Sequence, residues 1–164
     1  MTLFRAFAAL LLLAVAACAT TPGEPPEPSW YAMRHLQKAE GQDPALSAEG
    51  ARNADRLASW FKQDRPAAIY VSTTRRARET AAPLAARLGI AVKEYDPRDA
   101  PGLLARVKAE PGTVLIVGHS NTVPDIVAGL GGARPADLAE TDYGDIFRVR
   151  RDGSVEKLRL EGGR

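Results

Sequence analysis

The chain has very few residues of the kinds that crosslink proteins or bind metals. Its 164 residues include one cysteine, Cys18, so no disulfide can form within the chain and the core alone must hold the fold together. It has two histidines, His35 and His119, and no carboxylate cluster near them, which is poor ligand spacing for a metal centre. We therefore expect a protein that needs no metal and no other cofactor.

A charge excess and a long apolar segment are also missing. The 22 Lys and Arg residues nearly balance the 20 Asp and Glu residues, and the net charge of +2 gives no reason to expect a nucleic-acid partner. Residues 6–17 form an apolar run of 12 residues, whereas a membrane-spanning helix needs roughly 20. A run of this length after the charged Arg5 is typical of a secretory signal peptide.

The apolar run ends in the sequence Val15-Ala16-Ala17-Cys18, which resembles the bacterial lipobox. In a lipobox the cysteine is lipidated and becomes the first residue of the mature protein. The alternative is a plain secretory signal in which Cys18 has no role. We favour the lipoprotein, because a lone free thiol is unusual in an exported protein.

These features predict three regions. Residues 1–17 are a signal peptide, residues 18–29 are the lipidated cysteine and a proline-rich tether, and residues 30–164 are the folded domain. The expected location is outside the cytoplasm, as a membrane-anchored lipoprotein that faces the periplasm or the cell exterior.

From residue 30 onward, short apolar runs alternate with amphipathic segments. The pattern predicts, in chain order, strand 30–33, a helix capped by Ser47, strand 68–71, helix 74–88, strand 90–95, helix 103–108, strand 113–117, helix 121–130, and a hairpin of 146–150 with 155–160. This order predicts an α/β fold, namely a three-layer sandwich with a mostly parallel sheet, helices on both faces and an antiparallel terminal hairpin.

Both histidines follow directly after predicted strands, and so does a polar cluster at residues 72–76. Because the carboxyl ends of parallel strands meet at one edge of a sheet, we expect these residues to lie close together in the crevice there. A neutral imidazole nitrogen can attack phosphorus, and guanidinium groups bind phosphate oxygens in a bidentate manner. The arrangement therefore indicates a site for phosphoryl transfer.

Four segments, in the expected order, resemble the histidine phosphatase (phosphoglycerate mutase-like) superfamily. They are Arg34-His35, residues 43–50, residues 72–80 and residues 117–124. The chain is most similar to the compact, exported bacterial phosphatases of this group.

The resemblance implies a role for each matching residue. His35 would be the phosphorylated nucleophile, with Arg34, Arg76 and His119 as the other members of the phosphate pocket. Arg76, not Arg75, matches the family arginine, because it directly precedes the alanine of an Arg-Ala-x-x-Thr pattern. Asn121 is expected to contact the phosphate from its loop.

Two features depart from the family pattern. The two residues after the nucleophile are Leu36 and Gln37, where the family usually has a small residue and a glutamate. The proton donor is not evident either, and we expect Asp96 to fill this role, because it lies one residue past the third strand. Asp99 is the alternative donor, although its position predicts the cap of the next helix.

The predicted function is that of a phosphomonoesterase, exported and tethered to a membrane, that acts through a phosphohistidine intermediate. The substrate would be a small phosphate ester or a phosphoprotein. One alternative is mutase-like phosphoryl transfer, disfavoured because export separates the protein from glycolytic substrates. The other is a non-catalytic module that binds phosphate ligands. The sequence predicts no particular oligomeric state.

Overall fold

Residues 27–160 are described by the computed structural model of this chain, and they form a six-stranded sheet with four helices. The predicted signal peptide, Cys18 and most of the predicted tether lie outside the described residues. Within residues 27–160, none of the helices is both long enough and apolar enough to cross a membrane. The strands are β1 Trp30–Arg34, β2 Ala68–Ser72, β3 Val92–Tyr95, β4 Val114–Gly118, β5 Asp145–Val149 and β6 Val155–Arg159. The helices are α1 Ala48–Trp60, α2 Arg75–Leu88, α3 Ala100–Ala109 and α4 Val123–Gly129.

The sheet has the strand order β3-β2-β4-β1-β5-β6. Strands β1 to β4 run parallel to one another, whereas β5 is antiparallel to β1 and β6 is antiparallel to β5. The predicted α/β fold with a mostly parallel sheet and an antiparallel terminal hairpin is therefore confirmed.

Two separate hydrophobic cores lie on the two faces of the sheet. Side chains alternate along a strand, so in β4 Leu115 and Val117 pack against α1 and α2, while Val114 and Ile116 pack against α3 and α4. All four of these side chains are fully buried. Burying an aliphatic side chain of this size stabilises a fold by about 1.5–3 kcal/mol. The helices thus cover both faces, as the sequence predicted.

Most helix ends follow local sequence signals. The Ser47 hydroxyl accepts a hydrogen bond from the backbone N–H of Gly50 and caps α1, and Asp99 caps α3 in the same way by accepting from Gly102. Gly89, with a φ of 69°, ends α2 in the left-handed conformation. The predicted helix at residue 121 instead begins at Val123, because residues 119–122 form a turn closed by backbone hydrogen bonds.

The connections after the strands leave a crevice at one edge of the sheet. Strands β1 and β2 lead into α1 and α2 on one face, whereas β4, which lies between them, leads into α4 on the other face. The connecting loops diverge where neighbouring strands are followed by helices on opposite faces of the sheet. Ligands bind at such points in open α/β sheets. The fold therefore brings the ends of β1, β2 and β4 together at the crevice.

Candidate active site

His35 lies at the end of β1, with its ring held in one orientation. The residue is buried, and its backbone N–H donates to the carbonyl oxygen of Gly118 over 2.9 Å. Its Nδ1 lies 2.8 Å from the carbonyl oxygen of Leu36. Because a carbonyl only accepts hydrogen bonds, Nδ1 must carry the proton in this contact. The Nε2 lone pair is therefore left available as a nucleophile.

His119 follows β4, and its ring lies edge-on to that of His35 with 5.3 Å between the ring centroids. Its Nε2 lies 2.8 Å from the hydroxyl oxygen of Ser72, and its Nδ1 lies 3.4 Å from Nη2 of Arg76. A guanidinium only donates, so Nδ1 accepts from Arg76 while Nε2 carries the proton and donates to Ser72. The crevice thus joins the ends of β1, β2 and β4 through one set of side chains.

Both imidazoles titrate well below the ordinary histidine range. Burial lowers the pKa of His35 to about 4, and the positive charges of Arg76 and Arg34 act in the same direction. Burial also lowers the pKa of His119 to about 4, together with the charges of Arg76 and Arg34. Both rings are therefore neutral at pH 7 in the protein without a bound anion. A phosphate would supply the negative charge that makes a protonated ring favourable.

These side chains border a cavity of about 580 Å³. It brings together three predicted site residues from separate parts of the chain, His35, Arg76 and His119, and it includes the predicted Asn121. The other lining residues are Lys38, Thr74, Pro97, Arg98, Ser120, Thr122 and Glu140.

Arg34 is held by the loop that precedes β5. Its buried guanidinium donates to the carbonyl oxygen of Ala139 over 2.8 Å and to the carboxylate of Glu140 over 2.7 Å, and it stacks on the ring of Tyr143. The Nε atoms of Arg34 and Arg76 are both buried and have no hydrogen-bond partner among residues 27–160. Arg34 does not itself line the cavity, and its contact with the cavity wall is through Glu140.

The structure places Asp96 apart from these groups. Its exposed carboxylate forms an ion pair with Arg98, 3.0 Å away, and this hydrogen bonding lowers the pKa of Asp96. Pro97 and Arg98 line the cavity, but Asp96 is not among its lining residues. Its role as the proton donor stays a prediction, and Asp99 uses its carboxylate to cap α3.

The side chains of Leu36 and Gln37, the two departures from the family pattern, lie away from the cavity. The Leu36 side chain is completely buried in the core beneath α1 and α2. The Gln37 side chain forms hydrogen bonds with Glu49 and Asn53 of α1. Neither residue lines the cavity among the residues described.

Sequence reasoning missed Glu140 and Tyr143 at this site. Glu140 and Tyr143 belong to a loop without hydrophobic periodicity, so no local signal connects them to Arg34. Ser72 belongs to the predicted polar cluster, but its hydrogen bond to His119 could not be foreseen. Among residues 27–160, no three His, Cys, Asp or Glu residues are grouped so that they could hold a metal ion.

A comparison with models of protein families finds the family that the sequence motifs resemble. The model of the histidine phosphatase superfamily (branch 1) matches residues 28–99, which contain Arg34, His35 and Arg76. Over these residues the chain is similar to the histidine phosphatase superfamily. The family that matches is the one that the motifs resemble.

Solved structures share the fold of this chain at low sequence identity. The protein histidine phosphatase SixA complexed with tungstate is 19% identical with a TM-score of 0.59, over 79% of this chain and 94% of SixA. A mycobacterial glucosyl-3-phosphoglycerate phosphatase with inorganic phosphate is 18% identical with a TM-score of 0.61. The match covers 79% of this chain and 95% of that phosphatase. The putative phosphohistidine phosphatase SixA from Agrobacterium tumefaciens is 19% identical with a TM-score of 0.62. The match covers 80% of this chain and 95% of that protein. No curated protein matches the sequence.

Proposed function

We propose that this histidine phosphatase hydrolyses phosphate monoesters through a phosphohistidine formed on His35. The observation that carries the proposal is the state of this ring. Its Nδ1 proton is engaged by the Leu36 carbonyl, and its low pKa leaves Nε2 unprotonated beside the pair of His119 and Arg76. A fixed, neutral imidazole next to anion-binding groups is what nucleophilic attack on phosphorus requires.

The reaction would proceed in two displacements. In the first, Nε2 of His35 attacks phosphorus, the bond from phosphorus to the ester oxygen breaks, and the alcohol leaves with a proton. In the second, water attacks phosphorus, the bond from phosphorus to Nε2 breaks, and inorganic phosphate is released. Arg76 and His119 would stabilise the charge on the equatorial oxygens, because donors fixed in advance cost no reorganisation during the reaction.

The unused donors of the site support an anionic ligand. A buried guanidinium N–H without a partner is unfavourable, and among the described residues the Nε of Arg76, which lines the cavity, has no hydrogen-bond partner. Lys38 adds a further positive charge to the cavity wall. These groups favour a ligand with several oxygen acceptors, such as a phosphoryl group, over a neutral one.

The substrate would be a small phosphate ester or a phosphohistidine protein. One of the similar structures is a protein histidine phosphatase and another is a glucosyl-3-phosphoglycerate phosphatase. A panel of aryl phosphates, sugar phosphates and a phosphohistidine peptide would separate these classes by their kcat/KM values.

Trapping of the intermediate tests the proposal. After brief incubation with a radiolabelled aryl phosphate, the protein should carry an acid-labile, base-stable label that is absent from His35→Ala. Arg76→Ala should leave at most a trace of turnover. The matched control is Arg75→Ala, because the exposed neighbour Arg75 pairs with Glu79 on the surface of α2 and should leave turnover unchanged. Turnover by His35→Ala would show that the nucleophile lies elsewhere.

We also propose that the domain is exported and held at a membrane by a lipid on Cys18. The support is the sequence Val15-Ala16-Ala17-Cys18 at the end of a short apolar run, followed by four prolines before residue 30. Cys18→Ser should release the protein into the soluble fraction or leave the signal uncleaved. A mature protein with an unmodified Cys18 thiol would rule out the anchor.

A further inference from the structure

Glu140 stands out because it brings a carboxylate to the cavity. Of the residues described, it is the one acidic residue in the cavity wall, where it lies with His35 and His119. The carboxylates of Asp96 and Asp99 are occupied by Arg98 and by the end of α3. Asp43, another nearby acid, accepts from the backbone N–H of Arg75 at the start of α2.

The contacts of Glu140 are charged and polar. One carboxylate oxygen accepts from Nη2 of Arg34 over 2.7 Å, and the other accepts from the hydroxyl of Ser120, the residue after His119. The hydrogen bond from Ser120 and the charge of Arg34 lower the pKa of Glu140. In the protein without a bound anion, Glu140 is therefore ionised and competes for the guanidinium that a phosphoryl group would use.

We propose that Glu140 is the general acid and base of this phosphatase. The proposal rests on the proposed function, since it assigns the proton transfers of the two displacements at His35.

Substrate binding would prepare Glu140 for the first proton transfer. A phosphoryl group that binds Arg34 displaces the carboxylate, and its own negative charge then lies beside that carboxylate. Loss of a cationic partner and approach of a like charge both raise a carboxylate pKa. The Glu140 side chain is 76% exposed, so a proton can reach it from solvent.

The proton balance closes over the two steps. As Nε2 of His35 forms its bond to phosphorus, the bond from phosphorus to the ester oxygen breaks, and protonated Glu140 gives its proton to that oxygen. As water then attacks phosphorus, the bond from phosphorus to Nε2 breaks, the electron pair returns to the ring, and the Glu140 carboxylate takes the proton from water.

The test compares alkyl and aryl phosphates in Glu140→Gln. An alkyl group leaves as a strongly basic alkoxide and needs the proton, whereas a nitrophenyl group leaves as a stable phenolate. General acid catalysis contributes about 10²- to 10⁴-fold. We expect alkyl phosphate turnover to fall by about this factor, while phosphorylation of His35 by the aryl ester is spared. Because the base of the second step is also lost, the aryl ester should show a burst of one phenolate per protein.

Further variants separate this role from its rivals. Asp137→Asn is the matched control, because this exposed residue of the same loop pairs with Arg134 and should behave as the wild type. Glu140→Ala should recover alkyl phosphate turnover when formate is added, which a merely structural loss of the loop would not show. A selective alkyl loss in Asp96→Asn or Asp43→Asn, with none in Glu140→Gln, would overturn the assignment.

Two other outcomes are informative. Equal gains on both substrates in Glu140→Gln, with tighter binding of inorganic phosphate, would mean that Glu140 only blocks Arg34, and would overturn the assignment. Absence of a labelled phosphohistidine in the wild-type protein would instead refute the proposed function itself. Failure of one proposal is therefore distinguishable from failure of the other.

Discussion

The stability of this protein should fall steeply between pH 7 and pH 5, for a reason that lies in the active site. The chain has two histidines, and both have a pKa of about 4 in the folded protein. In the unfolded chain the same side chains have a pKa of about 6.5. Between these two values the unfolded state binds protons that the folded state does not. Stability is therefore complete above pH 6.5 and is lost progressively as the pH falls towards 4.

The magnitude follows from the shift of His35. Each pH unit in this window lowers the free energy of unfolding by about 1.4 kcal/mol per histidine, so 1.5 units lower it by about 2 kcal/mol at pH 5. His119 is partly exposed, and solvent screening reduces its contribution to about 1 kcal/mol. The sum of about 3 kcal/mol is a large part of the stability of a typical domain, which is about 5–15 kcal/mol.

Urea denaturation at pH 7, 6 and 5 measures this loss. His35→Gln should remove the larger share of the pH dependence, and His119→Gln the smaller share, because glutamine does not titrate. Inorganic phosphate should flatten the slope in the wild type, since a bound anion offsets the charge of a protonated ring. An unfolding free energy that is constant from pH 7 to pH 5, or a slope unchanged in both variants, would refute the assignment of low pKa values to these rings.

Two further predictions concern local structure. Asp99→Ala should lower the free energy of unfolding by about 1 kcal/mol through loss of the α3 cap, and Asp99→Ser should recover most of it; equal stability of both variants would contradict the cap. Gly50→Ala should destabilise by about 1–3 kcal/mol although alanine favours helices, because the added Cβ would lie 2.0 Å from the backbone oxygen of Gln37. Urea titration measures the free energy of unfolding of each variant. A stabilised Gly50→Ala variant would show that the backbone around Gly50 and Gln37 can move apart without cost.

Much of the fold could be read from local sequence patterns. The run of apolar residues in β4 predicts a central strand, and the structure buries all of it at the centre of the sheet. The residues Ser47 and Gly89 predict helix ends, and both act at the ends expected. These signals act over a few residues, where backbone conformation and side-chain periodicity depend on the sequence itself.

The convergence of His35, Arg76 and His119 could also be foreseen. Each of them follows a predicted parallel strand closely, and the carboxyl ends of parallel strands meet at one edge. Their approach therefore depends on topology more than on the details of packing. For this reason the sequence was enough to predict that these three residues lie together.

The tertiary structure alone decided the surroundings of these residues. Glu140 meets Arg34 across 106 positions of the chain, through a loop whose course depends on contacts and not on periodicity. Asp96 follows β3 directly, but the packed molecule leaves it out of the cavity wall. The neutral state of both histidines depends on their burial and on Arg76, which are properties of the packed molecule. Local patterns determine which elements form and where they end, whereas the charge and the proton-transfer groups of the site depend on contacts between distant residues.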